Sequence, residues 1–404
     1  MSPLVLLLAW LSAPSLAFTL DEARDAAVEG SLSVERARAN VAAAEADALL
    51  ALAGGLPAIT AYGSASTGAG LTSFGFPRPA QNQGALGLRG SAVLLSPSLW
   101  AGAAAARRSV EGQEAMLQWA MVEARRQVTV TYTAALGAQA RAEVWRRSAQ
   151  DAQAAADATA SLVNAGLRPA SELSRLRAEL ASAEAEALAA EGDAIALCAS
   201  LQGLMRAEIT GQCALSPVTL GAPESADADA HPALIASQAA LAAAEAQRTG
   251  ATLGLGPTVT ANGSVARFQV TGVEPGVGWS AGVEATQPLF VGGQGVAERR
   301  GAQAAVDAAN VELAQAEQDL EVATASAVAN HRAAAASAEA RKVALDAAGD
   351  AFADVDARYQ AGLVSLTDWL DARRARDAAA VSLALAEAAL GAALAELEAT
   401  TGVY

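Results

Sequence analysis

The sequence predicts a mainly α-helical fold with a small β-barrel portion. Long coiled-coil hairpins accompany four membrane-length strands per chain, which would close a β-barrel only from more than one copy. Three observations predict it. No proline interrupts the chain between Pro97 and Pro169 or from Pro288 to Tyr404, and both stretches read as helix former after helix former. Four Gly-, Ser- and Thr-rich segments alternate apolar and polar residues, the period of a strand with two unlike faces. The third is an internal repeat: Val41 opens VAAAEA where Leu241 opens LAAAEA, Pro57 meets Pro257, and Gly63-Ser64 meets Gly263-Ser264, all at an offset of 200.

Composition narrows the function classes. With 43 acidic against 27 basic residues and a net charge of −16, the chain lacks the clustered cations that phosphate backbones demand, so nucleic acid is excluded as a partner. Hydrophobic content reaches 53%, but most of it is alanine, and no interior run of about 20 strongly apolar residues is expected to cross a bilayer as a helix. Aromatic residues make up only 4%, too few to fill a conventional large core, whereas Ala, Leu, Glu, Gln and Arg suit long packed helices.

In chain order, residues 1–17 form a short apolar stretch ending in Ser15-Leu16-Ala17 and read as a secretory signal cut before Phe18; a buried N-terminal helix is the alternative, although Pro14 breaks it. Residues 18–215 then form the first repeat (helix, two strands, long helical hairpin), 216–230 a linker, and 231–404 the second repeat. Ile59, Ala61, Gly63 and Ala65 alternate with Thr60, Tyr62, Ser64 and Ser66; Val259 to Ala266 does the same in the second repeat. Each such strand pairs with another, around Leu86 to Leu94 and around Val283 to Phe290, across loops expected near Gly68 to Gln83 and Gln269 to Gly278. The helical arms from Gly102 to Gly166 and Gly292 to Gly362 would each run about 100 Å. Strands of this length suit an oblique bilayer crossing with lipid outside and water inside, and since four cannot close a barrel, chains must associate.

Trp100 and Phe290, each where a strand gives way to a long helix, fit an aromatic girdle at the membrane surface or ordinary packing at a strand end. Cys198 and Cys213 can form a disulfide in an oxidising compartment, two unpaired buried thiols being the alternative. No enzyme is indicated. His231 precedes a proline, His331 lies in an Ala-rich helix, and no catalytic, phosphate-binding or dinucleotide fingerprint appears, so neither cofactor nor structural metal is expected.

From FTLDEA at Phe18 through HPAL at His231, QPLFVGG at Gln287 and RYQAGLVSLTDWLDA at Arg358, the chain resembles the TolC-like outer-membrane efflux proteins. The resemblance implies a homotrimer in the outer membrane of a diderm bacterium, in contact with outer-membrane lipid. It would be the passive exit duct of a tripartite efflux or type I secretion system and dock on an inner-membrane pump through a periplasmic adaptor. The turns at Gly166-Leu167 and Gly362-Leu363 would meet the adaptor. Asp368 and Asp371 would form the cation-binding ring at the periplasmic gate, while Tyr359 and Glu172 would supply gate hydrogen bonding. Val364 stands where the family carries an arginine. Without the resemblance, Asp368 and Asp371 read as a solvated helix N-terminus. A periplasmic adaptor and a structural coiled-coil stalk are the rival readings.

Overall fold

A computed structural model describes residues 18–71, 77–206, 213–218 and 230–402; the expected signal segment, the tip of the first strand hairpin and most of the linker lie outside them. In chain order the elements are α1 (Leu20–Gly30), α2 (Leu32–Ala53), β1 (Ala58–Leu71), β2 (Pro77–Leu95), α3 (Pro97–Asn164), α4 (Ala170–Met205), α5 (Pro232–Leu253), β3 (Thr258–Val270), β4 (Val273–Thr286), α6 (Gln294–Gln360) and α7 (Leu366–Thr401). Helices α2 and α5 each have 22 residues, and α4 and α7 each have 36. Contacts divide the chain into two compact units, each drawing segments from both halves of the sequence.

The sheet-bearing unit comprises Arg38–Leu117 and Pro232–Glu317. Its strands pair antiparallel in the order β1-β2-β3-β4, so one edge each of β1 and β4 is left without a neighbour among the described residues. Register places Ala61, Leu88, Val265 and Trp279 side by side on one face, and Thr60, Arg89, Ser264 and Ser280 on the other. The second hairpin is tighter than expected. The loop anticipated near Gln269 to Gly278 shrinks to Thr271-Gly272, because Gly272 adopts φ 83°, which a two-residue turn needs and only glycine reaches freely. The Thr271 backbone N–H also donates to Asn82 O at 3.0 Å. β1 runs to Leu71 and β2 starts at Pro77, so both strands extend into the span expected as a loop near Gly68 to Gln83.

The second, mainly helical unit comprises Met1–Ala37, Gln118–His231 and Gln318–Tyr404. A core of Leu20, Ala23, Ala27, Val128, Tyr132, Ala135, Leu201, Met205 and Leu215 joins α1, α3 and α4. Thr19 and Glu22 cap α1 reciprocally, and α1 ends at Gly30, where an added Cβ would fall 2.1 Å from Met205 O. The wholly buried Tyr132 hydroxyl lies 2.6 Å from Phe18 O and 2.9 Å from Ser216 O and donates to this carbonyl pair. Phe18 in turn bridges Leu215, and Gln139 Nε2 donates to Cys213 O at 2.7 Å. Cys198 and Cys213 are joined as a disulfide, holding this segment to α4. His231 is buried against Trp119, with Nε2 3.1 Å from Ala399 O; burial pushes its pKa down, so it remains neutral near pH 7.

One expectation about helices needs correction. Helix α7 is long and apolar enough by composition to cross a membrane, because its alanines count as apolar in bulk; Leu394, Ala395 and Leu397 on it are buried. Small residues let α3 and α7 touch: a Cβ on Gly391 would fall 2.3 Å from Thr133 Cγ2. Gly391→Ala should therefore destabilise the protein despite a gain of about 1 kcal/mol in helix propensity, since overpacking costs roughly 1–3 kcal/mol. Chemical denaturation of the purified protein checks this, and a variant as stable as wild type would contradict the close approach.

Candidate functional site

The two helical hairpins turn by the same device. At the α3–α4 turn Gly166 takes φ 73°, with Gly166 N–H donating to Val163 O at 3.0 Å and Leu167 N–H to Leu162 O at 2.9 Å. At the α6–α7 turn Gly362 takes φ 74°, with Gly362 N–H donating to Tyr359 O and Leu363 N–H to Arg358 O, both at 2.9 Å. This double bond satisfies the last carbonyls of each helix and requires the left-handed residue that glycine supplies. Leu167 and Leu363 project from the turns, 72% and 74% exposed.

Beyond the turns the hairpins diverge. Helix α7 starts with a capping box: Ser365 Oγ accepts from Asp368 N–H at 3.2 Å, while Asp368 Oδ2 accepts from Ser365 N–H at 3.1 Å and from Ser365 Oγ at 2.7 Å. Those bonds, the side-chain one foremost, hold the Asp368 carboxyl below the usual aspartate range. Helix α4 starts at the equivalent place with Pro169 and no side-chain cap, so Glu172 is free to turn to Arg168.

Arg168 is the residue that sequence reasoning missed. Tyr359 and Glu172 come together, but not by a direct hydrogen bond: Arg168 stands between them. Its Nη1 donates to Glu172 Oε2 at 2.9 Å and to Tyr359 Oη at 3.0 Å, and its guanidinium carbon lies 4.7 Å from the Tyr359 ring centroid. The hydrogen bond to Glu172 raises the Arg168 pKa against the opposing effect of burial, so the guanidinium stays charged. A physical reason for the interposed cation is that a neutral phenol and a carboxylate gain less from each other than either gains from a guanidinium. A second tie runs alongside, Arg175 Nη1 donating to Thr367 Oγ1 at 3.1 Å. Beneath both lie Ala156, Leu176, Leu366 and Leu370, with Trp369 near Tyr359 and its Nε1 donating to Asp356 Oδ1 at 2.7 Å.

Asp368 and Asp371 stand one helical turn apart on the exposed side of α7, and Asp371 is 67% exposed with Arg374 Nη1 at 3.8 Å. Further along α7 the run Arg373 to Asp377 forms a buried ionic network. Arg373 reaches Glu179 and Ser148 O, Arg376 reaches Asp151 and Asp377, and Ser148 Oγ donates to Asp377 Oδ2 at 2.6 Å. Burial pulls the Arg373 pKa down, with Asp377 and Glu179 opposing it. The ARRARD text at Ala372 to Asp377 was the available signal, since such a charge run in an Ala-rich helix calls for partners. Trp100 and Phe290 belong to the sheet-bearing unit, Trp100 in the first turn of α3 and Phe290 after β4, and both are exposed. Among the described residues no group of three or more His, Cys, Asp and Glu is arranged to hold a metal ion.

A family model described as outer membrane efflux protein matches residues 23–205 and 227–403. The fold is similar to several solved structures. The CmeC outer membrane channel of Campylobacter jejuni aligns at a TM-score of 0.82 and 16% identity, over 95% of this chain and 85% of that one. For the MtrE outer membrane channel of Neisseria gonorrhoeae, in its open state, the values are 0.81 and 21%, over 95% and 88%. The outer membrane protein VceC of Vibrio cholerae gives 0.79 and 20%, over 95% and 96%. No curated protein sequence matches the chain.

The capping box yields a pH prediction. Because the folded-state pKa of Asp368 is depressed, its contribution to holding the start of α7 is complete above the ordinary aspartate value and is lost as pH falls through the folded one. Carboxyl titration by NMR should place the Asp368 midpoint below the usual aspartate range, and Ser365→Ala should move it back up. An unmoved midpoint in Ser365→Ala would contradict the cap.

Proposed function

The chain belongs to the outer membrane efflux protein family, and on that premise we propose that it is the outer-membrane exit duct of a tripartite efflux or type I secretion system, passing on substrates without chemistry of its own. The observation that carries the reading is the two-faced, four-stranded sheet with open edges on β1 and β4. In hydrocarbon those edges require partners, and three copies of four strands give a twelve-stranded barrel, large enough to close. The polar face then lines the lumen and the apolar face meets lipid. An adaptor or a stalk protein has no use for such a sheet.

In this reading residues 1–17 direct export, residues 18–215 and 231–404 are two repeats joined by the 216–230 linker, and Trp100 and Phe290 sit at the periplasmic-side surface of the outer membrane. The exposed turns at Gly166-Leu167 and Gly362-Leu363 offer apolar tips to a periplasmic adaptor that links the duct to its pump. Asp368 and Asp371 from three chains ring the periplasmic entrance, where low-dielectric walls strengthen their field. Arg168 serves as the cation of the gate: it ties the first hairpin to the second through Tyr359, the part for which Val364 has no charge.

Purified protein should run as a trimer in mild detergent and form channels in planar bilayers; a monomer that inserts nothing would overturn the reading. Recorded channels should prefer cations, and Asp368→Asn combined with Asp371→Asn should remove that preference and the block by multivalent cations. Unchanged preference would return both residues to helix-end solvation. Arg168→Ala should raise conductance or open probability while leaving ion preference intact, and should cancel any further effect of Tyr359→Phe. Additive effects of those two substitutions would show that they do not act as one tie.

A further inference from the structure

One cation on the sheet is unexplained by the channel itself. Arg267 of β3 pairs in register with Leu86 of β2 and Val277 of β4, so it belongs to the apolar face that carries Ile59, Leu88, Val265 and Trp279. It is exposed and has neither a hydrogen bond nor an ion pair with any described residue. Arg89, the other arginine at the centre of the sheet, lies on the opposite face and stacks over Tyr62 at 5.1 Å. A charged side chain facing hydrocarbon is costly at mid-membrane and favourable only at the boundary.

Register puts Arg267 towards such a boundary. From Ala285 to Val277 the apolar face of β4 covers about 26 Å along the strand, which at the ~40° tilt of outer-membrane strands spans roughly 20 Å of an apolar band ~25 Å tall. Arg267 sits in the last row of that stretch, on the hairpin side, and the next residue on its face, Gln269, is already polar and opposite Gly84. Trp279 is opposite Val265, one row inward, and hence diagonal to Arg267; it is 80% exposed. An indole inside the boundary and a guanidinium on it offer an apolar shelf and a forked cation, which suit a headgroup whose acyl chains lie against the sheet.

We propose that Arg267, shelved by Trp279, binds the phosphate of a phosphate-bearing lipid headgroup on the outward face of the sheet at its hairpin end. The proposal rests on the barrel reading above and adds a ligand class and a depth to it. Arg267 contributes two parallel N–H donors to phosphate oxygens, a geometry that lysine lacks. Trp279 fixes the lipid by contact with the first methylenes of its chains.

The test uses the full-length protein purified in detergent and titrated with phosphatidic acid or diacylglycerol, which has the same acyl chains without the phosphate, with bound lipids counted by native mass spectrometry. Wild type should retain phosphatidic acid about tenfold better than diacylglycerol. Arg267→Gln should erase the difference, Arg267→Lys should keep part of it, and Trp279→Ala should weaken retention of both lipids. Arg89→Gln, on the other face, should behave as wild type. Inorganic phosphate at millimolar concentration should not displace the lipid. Equal retention by wild type and Arg267→Gln, an equal loss in Arg89→Gln, or full displacement by phosphate would each overturn the site. Planar-bilayer recording of the same samples separates the two levels: channels with wild-type conductance in Arg267→Gln alongside unchanged lipid retention refute the lipid site alone, whereas wild type that forms no channel refutes the barrel and the site together.

Discussion

A peptide group placed in hydrocarbon must find its hydrogen-bond partner within protein, and the sheet of this chain depends on that constraint. Inside the chain β2 and β3 are satisfied on both sides, whereas β1 and β4 each leave an edge open. Strand β1 carries small apolar residues, glycines and hydroxyls in place of the lysines and prolines that soluble sheets use to guard an edge, whereas β4 carries Glu274, Pro275 and Glu284. The same constraint explains the alternation. Since register fixes which residues share a face, a slip by one position would turn Leu88, Val265 and Trp279 inward and Arg89 and Ser264 outward.

The helices obey a different constraint, backbone proximity. Long arms built from alanine gain little from each buried side chain, so stability depends on how closely the backbones approach. Gly391 against Thr133 and Gly30 against Met205 are places where any Cβ would collide. Polar groups then secure what dispersion alone would leave loose. The buried Arg373 and Asp377 and the half-buried Arg376 tie α7 to α3 and α4, and Tyr132 with the Cys198–Cys213 disulfide holds the segment that follows α4. Buried ion pairs add less to stability than their geometry suggests, but removing one partner is severe, which favours a single arrangement of the helices.

At the hairpin ends the two turns match and the caps differ. Pro169 and Ser365 occupy corresponding places before α4 and α7, as do Glu172 and Asp368, and the identity of the cap decides the fate of the carboxylate. Ser365 can bond Asp368 in a capping box, whereas Pro169 has no hydroxyl to offer, so Glu172 pairs with Arg168 and through it reaches Tyr359. One residue type at the cap thus separates a carboxylate used for local structure from one used to join two hairpins.

The sequence by itself determined the element types, their order and their approximate limits, because proline exclusion, alternation and the repeat are local properties of the chain. It determined the two glycine turns for the same reason, since a left-handed residue at a helix end is a local demand. Tertiary structure alone decided the rest. The tightness of the β3–β4 turn followed from pairing that continues to Val270 and Val273. Arg168 between Glu172 and Tyr359, the partners of Arg373 and Arg376, and the position of Arg267 beside Leu86 and Val277 each involve residues far apart in sequence. No local pattern records such pairings, because an arginine side chain reaches several partners and only packing and register choose among them.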